Sequence, residues 1–261
     1  MLVPVAIGQQ LSMLKQNKFI KVYLDLVLTS TFVCSQLKDY DSGNVIQRER
    51  LDYEKISDAN FLLPKIKKIL EIINIDFYNV VEPKFVFDNN YFIFVPDSLY
   101  IKGKEKTFLK FNVGLESDDY ITTDSIEQLS INNIYLPYVN INNYLIEKFK
   151  KLEFYHYNTV LINKIVSVNN SDSCHCFIEN ADLKILIIEN GEIFYFNSFS
   201  YKTLDDILYY TLLVINDKSF KNKNIPINIH AGKKIDEIKV KFNNFIKNIS
   251  VIKNDNFAQV L

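Results

Sequence analysis

The sequence predicts an α/β protein built as two tandem units, and three observations carry that prediction. Residues 174–200 hold three short β-rich runs in succession, the last two joined by Asn190-Gly191, a dipeptide that favours the tight turn of a β-hairpin. "TLDDILYYTLLVIND" (203–217) then changes to helical spacing. The first half of the chain opens in the same order, with three β-rich runs and a helix.

Each element has a local reason. "FIKVYLDLVLTSTFVCSQL" (19–37) reads as two strands broken near Thr29-Ser30-Thr31, and "NVIQRERLDYE" (44–54) alternates like an edge strand. In "SDANFLLPKIKKILEIINI" (57–75), Leu63, Ile66, Ile69, Leu70 and Ile73 fall on one helical face. Ser57 or Asp58 suits its N-cap, and Pro64 is tolerated in a first turn. "KFVFDNNYFIFVP" (84–96) reads as two strands around an Asp-Asn-Asn turn. A lysine-rich, irregular stretch follows, and a helix is expected over about 141–151. In the second half, a helix over 156–168 precedes strands near 174–179, 183–189 and 192–200. Thr203 is the expected N-cap of the 203–217 helix, with Asp205 and Asp206 in the first turn, where the macrodipole favours acids. "IPINIHAG" (225–232) reads as a buried strand, "KIDEIKVKFNNFIKNI" (234–249) as an amphipathic helix, and "SVIKND" as a last strand.

Composition narrows the class. The 261 residues are 48% hydrophobic with a net charge of −1, which describes a globular chain and excludes a disordered one. No run approaches the ~18 apolar residues of a membrane span. "MLVPVAIGQQ" lacks the basic start of a signal peptide, and three cysteines without framework spacing suit a reducing compartment. A cytoplasmic protein is expected. Its only arginines are Arg48 and Arg50, which disfavours base-edge reading of nucleic acid. Lysines crowd the C-terminal region (Lys218, Lys221, Lys223, Lys233, Lys234, Lys239, Lys241, Lys247 and Lys253). A solvated face is the simpler account of that run.

The order β-β-β-α-β-α-β is that of a ribonuclease H-like unit, and two such units in tandem make an actin-like ATPase-type fold with a cleft between lobes. The expected lobes are residues 1–155, diverged and irregular about 97–130, and residues 156–261. Several stretches also resemble a known family: "FIFVPDSLY", "FLKFNVGLESDDYITTDSI", "NNIYLPYVNINNYLIEKFKKLEFYHYNTVLI", "IFYFNSFSYKTLDDILYYTLL" and "NIHAGKKI". They are similar to a Bacteroidota family of conserved proteins, a domain of unknown function with an actin-like ATPase fold. The resemblance runs from about residue 19 to 252. Ser200 stands where an acidic residue is expected, and Ile207 where an aromatic one is expected. The resemblance implies a fold and no established activity.

In that fold, phosphates sit in Asp-x-Gly hairpin turns, one per half, where glycine admits backbone N–H groups to the phosphate oxygens. Here Asp25 stands in the motif position of "LDLVLTST", with Val27 at the glycine position. The second turn, "ENADLK", offers Glu179 and Asp182 without glycine, and Gly232 in "IHAGKK" stands where an adenosine-side turn belongs. Asp25, Glu179, Asp182 and Gly232 are therefore the candidate cleft or ligand-binding residues. The plainer account has the acids as ordinary polar positions and Gly232 as a strand end. Asn197, Tyr201, Lys202 and Thr203 form a candidate partner-binding or structural junction.

The functional expectation is a non-catalytic scaffold or interaction module with a degenerate nucleotide site and a protein partner. The alternative is a divergent nucleotide-binding protein or slow ATPase using ATP and Mg²⁺. A nuclease comes third, since its metal chemistry needs several carboxylates around Asp25. No cofactor or metal is expected. In "CHC" (174–176), strand geometry turns Cys174 and Cys176 to one face and His175 to the other, so the triplet does not close on one ion. His156 is read as a cap or bridge, and His230 as a hydrogen-bonded core residue.

Overall fold

The computed structural model describes residues 20–168, 171–179, 181–217 and 225–253. Lys218, Lys221 and Lys223, named above, lie outside them, as do "MLVPVAIGQQ" and the Asn180 of "ENADLK". The chain divides into two compact units. Among the described residues, one holds 20–126 and 130–162, the other 127–129 and 163–253.

The first unit is organised on a five-stranded sheet. β1 (Ile20–Leu28), β2 (Phe32–Asp39) and β3 (Val45–Asp52) form an antiparallel meander. The sequence predicts a helix from residue 57, whereas a 3-10 turn over Ala59–Phe61, capped by the Asp58 carboxylate on the Asn60 N–H, comes first. α1 (Leu63–Ile72) then starts with Pro64 in its first turn. β4 (Tyr78–Phe87) returns parallel to β1. The stretch read as irregular, about 97–130, holds the short α2 (Glu105–Leu109) and β6 (Thr122–Ile126), and β6 joins β5 (Phe92–Pro96), expected as a strand, and β7 (Ile131–Tyr135) in an inserted three-stranded antiparallel sheet. Val95, Leu109, Val113 and Ile134 give it a small core of its own. α3 (Val139–Phe149) leads to β8 (Glu153–His156), a four-residue strand parallel to β4. The resulting order is β3-β2-β1-β4-β8.

α4 (Tyr157–Val168) carries the chain into the second unit, where β9 (Ser173–Glu179), β10 (Asp182–Glu189) and β11 (Glu192–Ser200) repeat the meander. Asn190 and Gly191 both have positive φ, 55° and 76°, as a twisted two-residue hairpin turn requires. α5 (Leu204–Ile215), β12 (Ile227–Ala231), α6 (Ile235–Asn243) and β13 (Ile249–Lys253) complete it. β12 runs parallel to β9 and to β13, so the order is β11-β10-β9-β12-β13. Both sheets thus carry one topology: a meander, then two parallel strands added beside its first strand.

Each sheet buries one face under its own helices. Leu24, Leu26, Leu28, Val33, Phe85 and Phe87 pack with Ile66, Ile69 and Leu70 of α1 and Ile141 and Leu145 of α3. In the second unit, Cys174, Cys176, Leu183, Ile185 and Ile187 pack with Ile207 of α5 and Ile238 and Phe242 of α6. Among the described residues, no helix is long and apolar enough to cross a membrane. Leu24 is fully buried in the middle of β1. Leu24→Ala is expected to destabilise by about 3 kcal/mol, read as a lower denaturant midpoint at unchanged slope.

Candidate functional site

The turn between β1 and β2 is the first candidate. Its sequence, Thr29-Ser30-Thr31, favours a turn closed by a side-chain hydroxyl. Thr29 Oγ1 accepts from the N–H groups of Thr31 and Phe32, both at 3.1 Å, and the Thr29 N–H donates to the Phe32 carbonyl at 2.9 Å. The carbonyls are occupied as well. Tyr53 donates from its hydroxyl to Thr29 O and from its N–H to Thr31 O, both at 2.9 Å, and the Ile56 N–H donates to Ser30 O at 2.8 Å. Burial pushes the Tyr53 phenol well above its usual range, so it stays a donor. Val27, expected at the glycine position, lies inside β1 opposite Cys34. The apolar run simply extends the strand to Leu28. The glycine-free turn is Thr29–Thr31, and the Thr31 and Phe32 N–H groups already have a partner in Thr29.

Asp25 lies mid-strand on the face opposite the core, 7% exposed. Lys38 Nζ stands 2.7 Å from its carboxylate and Gln36 Nε2 donates to it at 3.4 Å. Gln36 in turn accepts from Arg48 of β3, and the residue opposite Asp25 on β4 is Lys84. These neighbours are cations and an amide, a set that neutralises a carboxylate rather than one that shares a divalent ion. Among the described residues, no group of three or more His, Cys, Asp and Glu is arranged to hold a metal.

In the second unit, several expected residues meet at one end of the sheet. Glu179 ends β9 opposite Asp182, which begins β10 and pairs with Ser200 at the end of β11. Asp182 accepts from the Ser200 hydroxyl at 3.2 Å. Burial, with Glu179 and Asp182 nearby, pushes the Tyr201 phenol up to about 12. β12 finishes at the same end, since Ala231 lies opposite Ile178, and exposed Gly232 follows. The left-handed residue of that strand-to-helix turn is Lys234 (φ 56°), and α6 starts there without a side-chain cap. Thr203 caps α5 as expected: its hydroxyl accepts from the Asp206 N–H at 3.2 Å, while the Asp206 carboxylate accepts from the Lys202 and Thr203 N–H groups. Asn197 sits on β11, exposed, three positions before Ser200.

Cys174 and Cys176 are fully buried in the helix-side core, and His175 is on the other face. There it meets His230, 55 positions later, a pairing that local sequence does not reveal. His175 Nδ1 and His230 Nε2 are 3.0 Å apart, and His175 Nε2 is 3.0 Å from Ser173 Oγ. Ser173 Oγ donates to Ser171 O, so it accepts from His175 Nε2–H, and His175 Nδ1 is left to accept from His230. Both rings are neutral in this chain of donors. Burial lowers His175 to about 4, and burial with His175 alongside lowers His230 to about 3. His156, which is fully buried, accepts from the Asn158 N–H at Nδ1 and sits 3.2 Å from Asn89 O through Nε2. It joins Asp124, which accepts from the His156 N–H and the Tyr135 hydroxyl. Burial lifts the Asp124 carboxyl above the usual range, against those bonds. This network ties β6, β7 and β8 to the start of α4.

Residues 32–249 match the family described as protein of unknown function, DUF3822. The chain belongs to that family. No curated protein matches it in sequence. A crystal structure from Bacteroides thetaiotaomicron VPI-5482, of a protein with actin-like ATPase fold and unknown function, aligns with a TM-score of 0.76 at 16% identity. That alignment covers 95% of this chain and 96% of that one. The PilM-PilN type IV pilus biogenesis complex aligns at 0.56 with 8% identity, covering 92% and 89% of the two chains. The ethanolamine utilization protein EutJ from Carboxydothermus hydrogenoformans aligns at 0.51 with 9% identity, covering 94% and 93%. The DUF3822 chain has the actin-like ATPase fold.

Two outcomes follow from this geometry. Thr29→Ala leaves two turn N–H groups without their acceptor, and denaturant unfolding is expected to show a loss of about 1–2 kcal/mol. The second concerns pH. Above about pH 7.5, a unit over the ordinary histidine value, the two histidines bind almost no proton in either state. Below that, the unfolded chain takes up protons that the folded His175 and His230 refuse. Stability then falls with falling pH, by up to about 1.4 kcal/mol per pH unit for each histidine, until the folded values are reached. His175→Gln/His230→Gln should flatten this part of the stability curve between pH 6.5 and 4 relative to the natural chain.

Proposed function

We propose that this protein is a non-catalytic interaction module or scaffold of the cytoplasm, in which the nucleotide site of the fold is degenerate. The Thr29 turn carries this reading. A phosphate needs free N–H donors at such a turn, and here a hydroxyl of the chain itself takes two of them while Tyr53 and Ile56 cover the carbonyls. Asp25 adds support, because Lys38 holds the carboxylate that Mg²⁺ would need. PilM, which shares the fold, occurs in a complex with PilN. By analogy the partner of this chain is a protein.

The second reading, a divergent nucleotide-binding protein or slow ATPase, draws on one observation. Glu179, Asp182 and Gly232 share a sheet end with the uncapped start of α6, where N–H groups favour an anion. Calorimetric titration with ATP and Mg²⁺ separates the two, with Asp25→Ala and Asp182→Ala as controls. The proposal expects no saturable heat at millimolar nucleotide. Saturable binding that weakens in either variant would establish the second reading and sink the first.

A further inference from the structure

A cavity of about 620 Å³ opens in the first unit, lined by α1, α3 and the 3-10 turn Ile75–Phe77 that leads into β4. None of its lining residues belongs to the β1–β2 turn. Its size suits a small organic ligand. Buried Leu70 and Ile75 and half-buried Phe77 and Tyr144 line it with apolar and aromatic surface.

The cavity forms where two helices end. α1 stops at Ile72, and Asn74 takes the left-handed conformation (φ 51°) that turns the chain into Ile75–Phe77. Lys67 on α1 reaches α3, its ammonium 5.1 Å from the centre of the Tyr144 ring. Lys148, in the last turn of α3, reaches back to Asp76 at 2.7 Å.

Charge decides what the cavity can hold. Two lysines and two acids line it, and Lys67, Lys148 and Asp76 are engaged in the contacts just described. The exposed Glu71 carboxylate has no ion pair or hydrogen bond among the described residues. Glu71 stands in the last turn of α1, which carries no basic residue. A carboxylate there works against the helix dipole, and a lysine one turn earlier could offset it. Lys67 holds that place and turns to Tyr144 instead. Such local conflicts gather at functional sites. The last turns of both α1 and α3 contribute to the lining, so two negative helix ends meet at the open carboxylate. Aromatic rings favour the same kind of ligand, because a ring face attracts an ammonium.

We propose that this cavity binds an organic ammonium ion, a primary amine on an aromatic or aliphatic body. The ammonium sits at Glu71, and the body lies against Leu70, Ile75 and Phe77. An anion would meet Glu71 and two helix C-termini, with both lysines already held. The site rests on the first unit alone and stands whichever way the β1–β2 turn is read.

Tryptamine is the probe, since the chain contains no tryptophan and the indole fluorescence is read without one. Its anisotropy, titrated with the full chain, is expected to saturate with a Kd of about a millimolar or lower. Indoleacetate, with the same ring and the opposite charge, should not bind. Glu71→Gln should weaken tryptamine about fivefold. Glu71→Lys should abolish tryptamine binding and admit indoleacetate. Glu71 is exposed, so both variants should keep the thermal transition of the natural chain. Amide resonances of Ile75 and Phe77 should shift with tryptamine and locate it. No saturation, equal binding of the two indoles, an affinity indifferent to Glu71→Gln, or shifts confined to other residues would overturn the proposal.

Discussion

A backbone N–H at a buried turn has to donate to something, and that constraint shapes the β1–β2 turn. In a phosphate-binding hairpin the donors wait for the ligand, and the turn is satisfied only when the site is full. Here Thr29 satisfies them from within, and the segment after β3 reaches back to close the carbonyl side. The turn is complete without a ligand. That exchange removes a reason for glycine, because nothing has to approach the backbone closely. It also explains how two threonines come to be about 5% exposed at a position that an active site would leave open.

The two units share a sheet topology and differ in what surrounds it. The first has an inserted three-stranded layer, tied to α4 through Asp124, Tyr135 and the buried His156. The second has a plain sheet whose far face holds a neutral histidine pair stacked beside Phe177. Neither histidine site is exposed, and each ring has its donors and acceptors assigned by neighbours. Such groups specify packing more than chemistry.

What was legible in the sequence was local. Asn190-Gly191, the Thr203–Asp206 capping box and the opposed facing of Cys174 and His175 each depend on a few adjacent residues, and the structure has all three. The repeated strand and helix order carried the actin-like fold. Position within a strand was harder. The run Leu26–Leu28 is apolar on both faces, so the strand end is not marked in the sequence, and Val27, expected at the turn, lies two residues before it. β8 is four residues long and overlaps the start of a helical pattern. The His175–His230 pair and the cover supplied by Tyr53 join residues 55 and 24 positions apart. Only the folded sheet brings them together. The Thr-Ser-Thr triplet was visible, but its hydroxyl could be assigned to its own backbone only once the turn was in place.

The central claim is that the Thr31 and Phe32 N–H groups are already occupied. Amide hydrogen exchange at these two residues, followed by NMR with and without ATP and Mg²⁺, tests it most directly. The account predicts slow exchange and unchanged resonances when nucleotide is added. Rapid exchange in the free protein, or protection gained only with nucleotide, would mean that the turn is an open phosphate cradle.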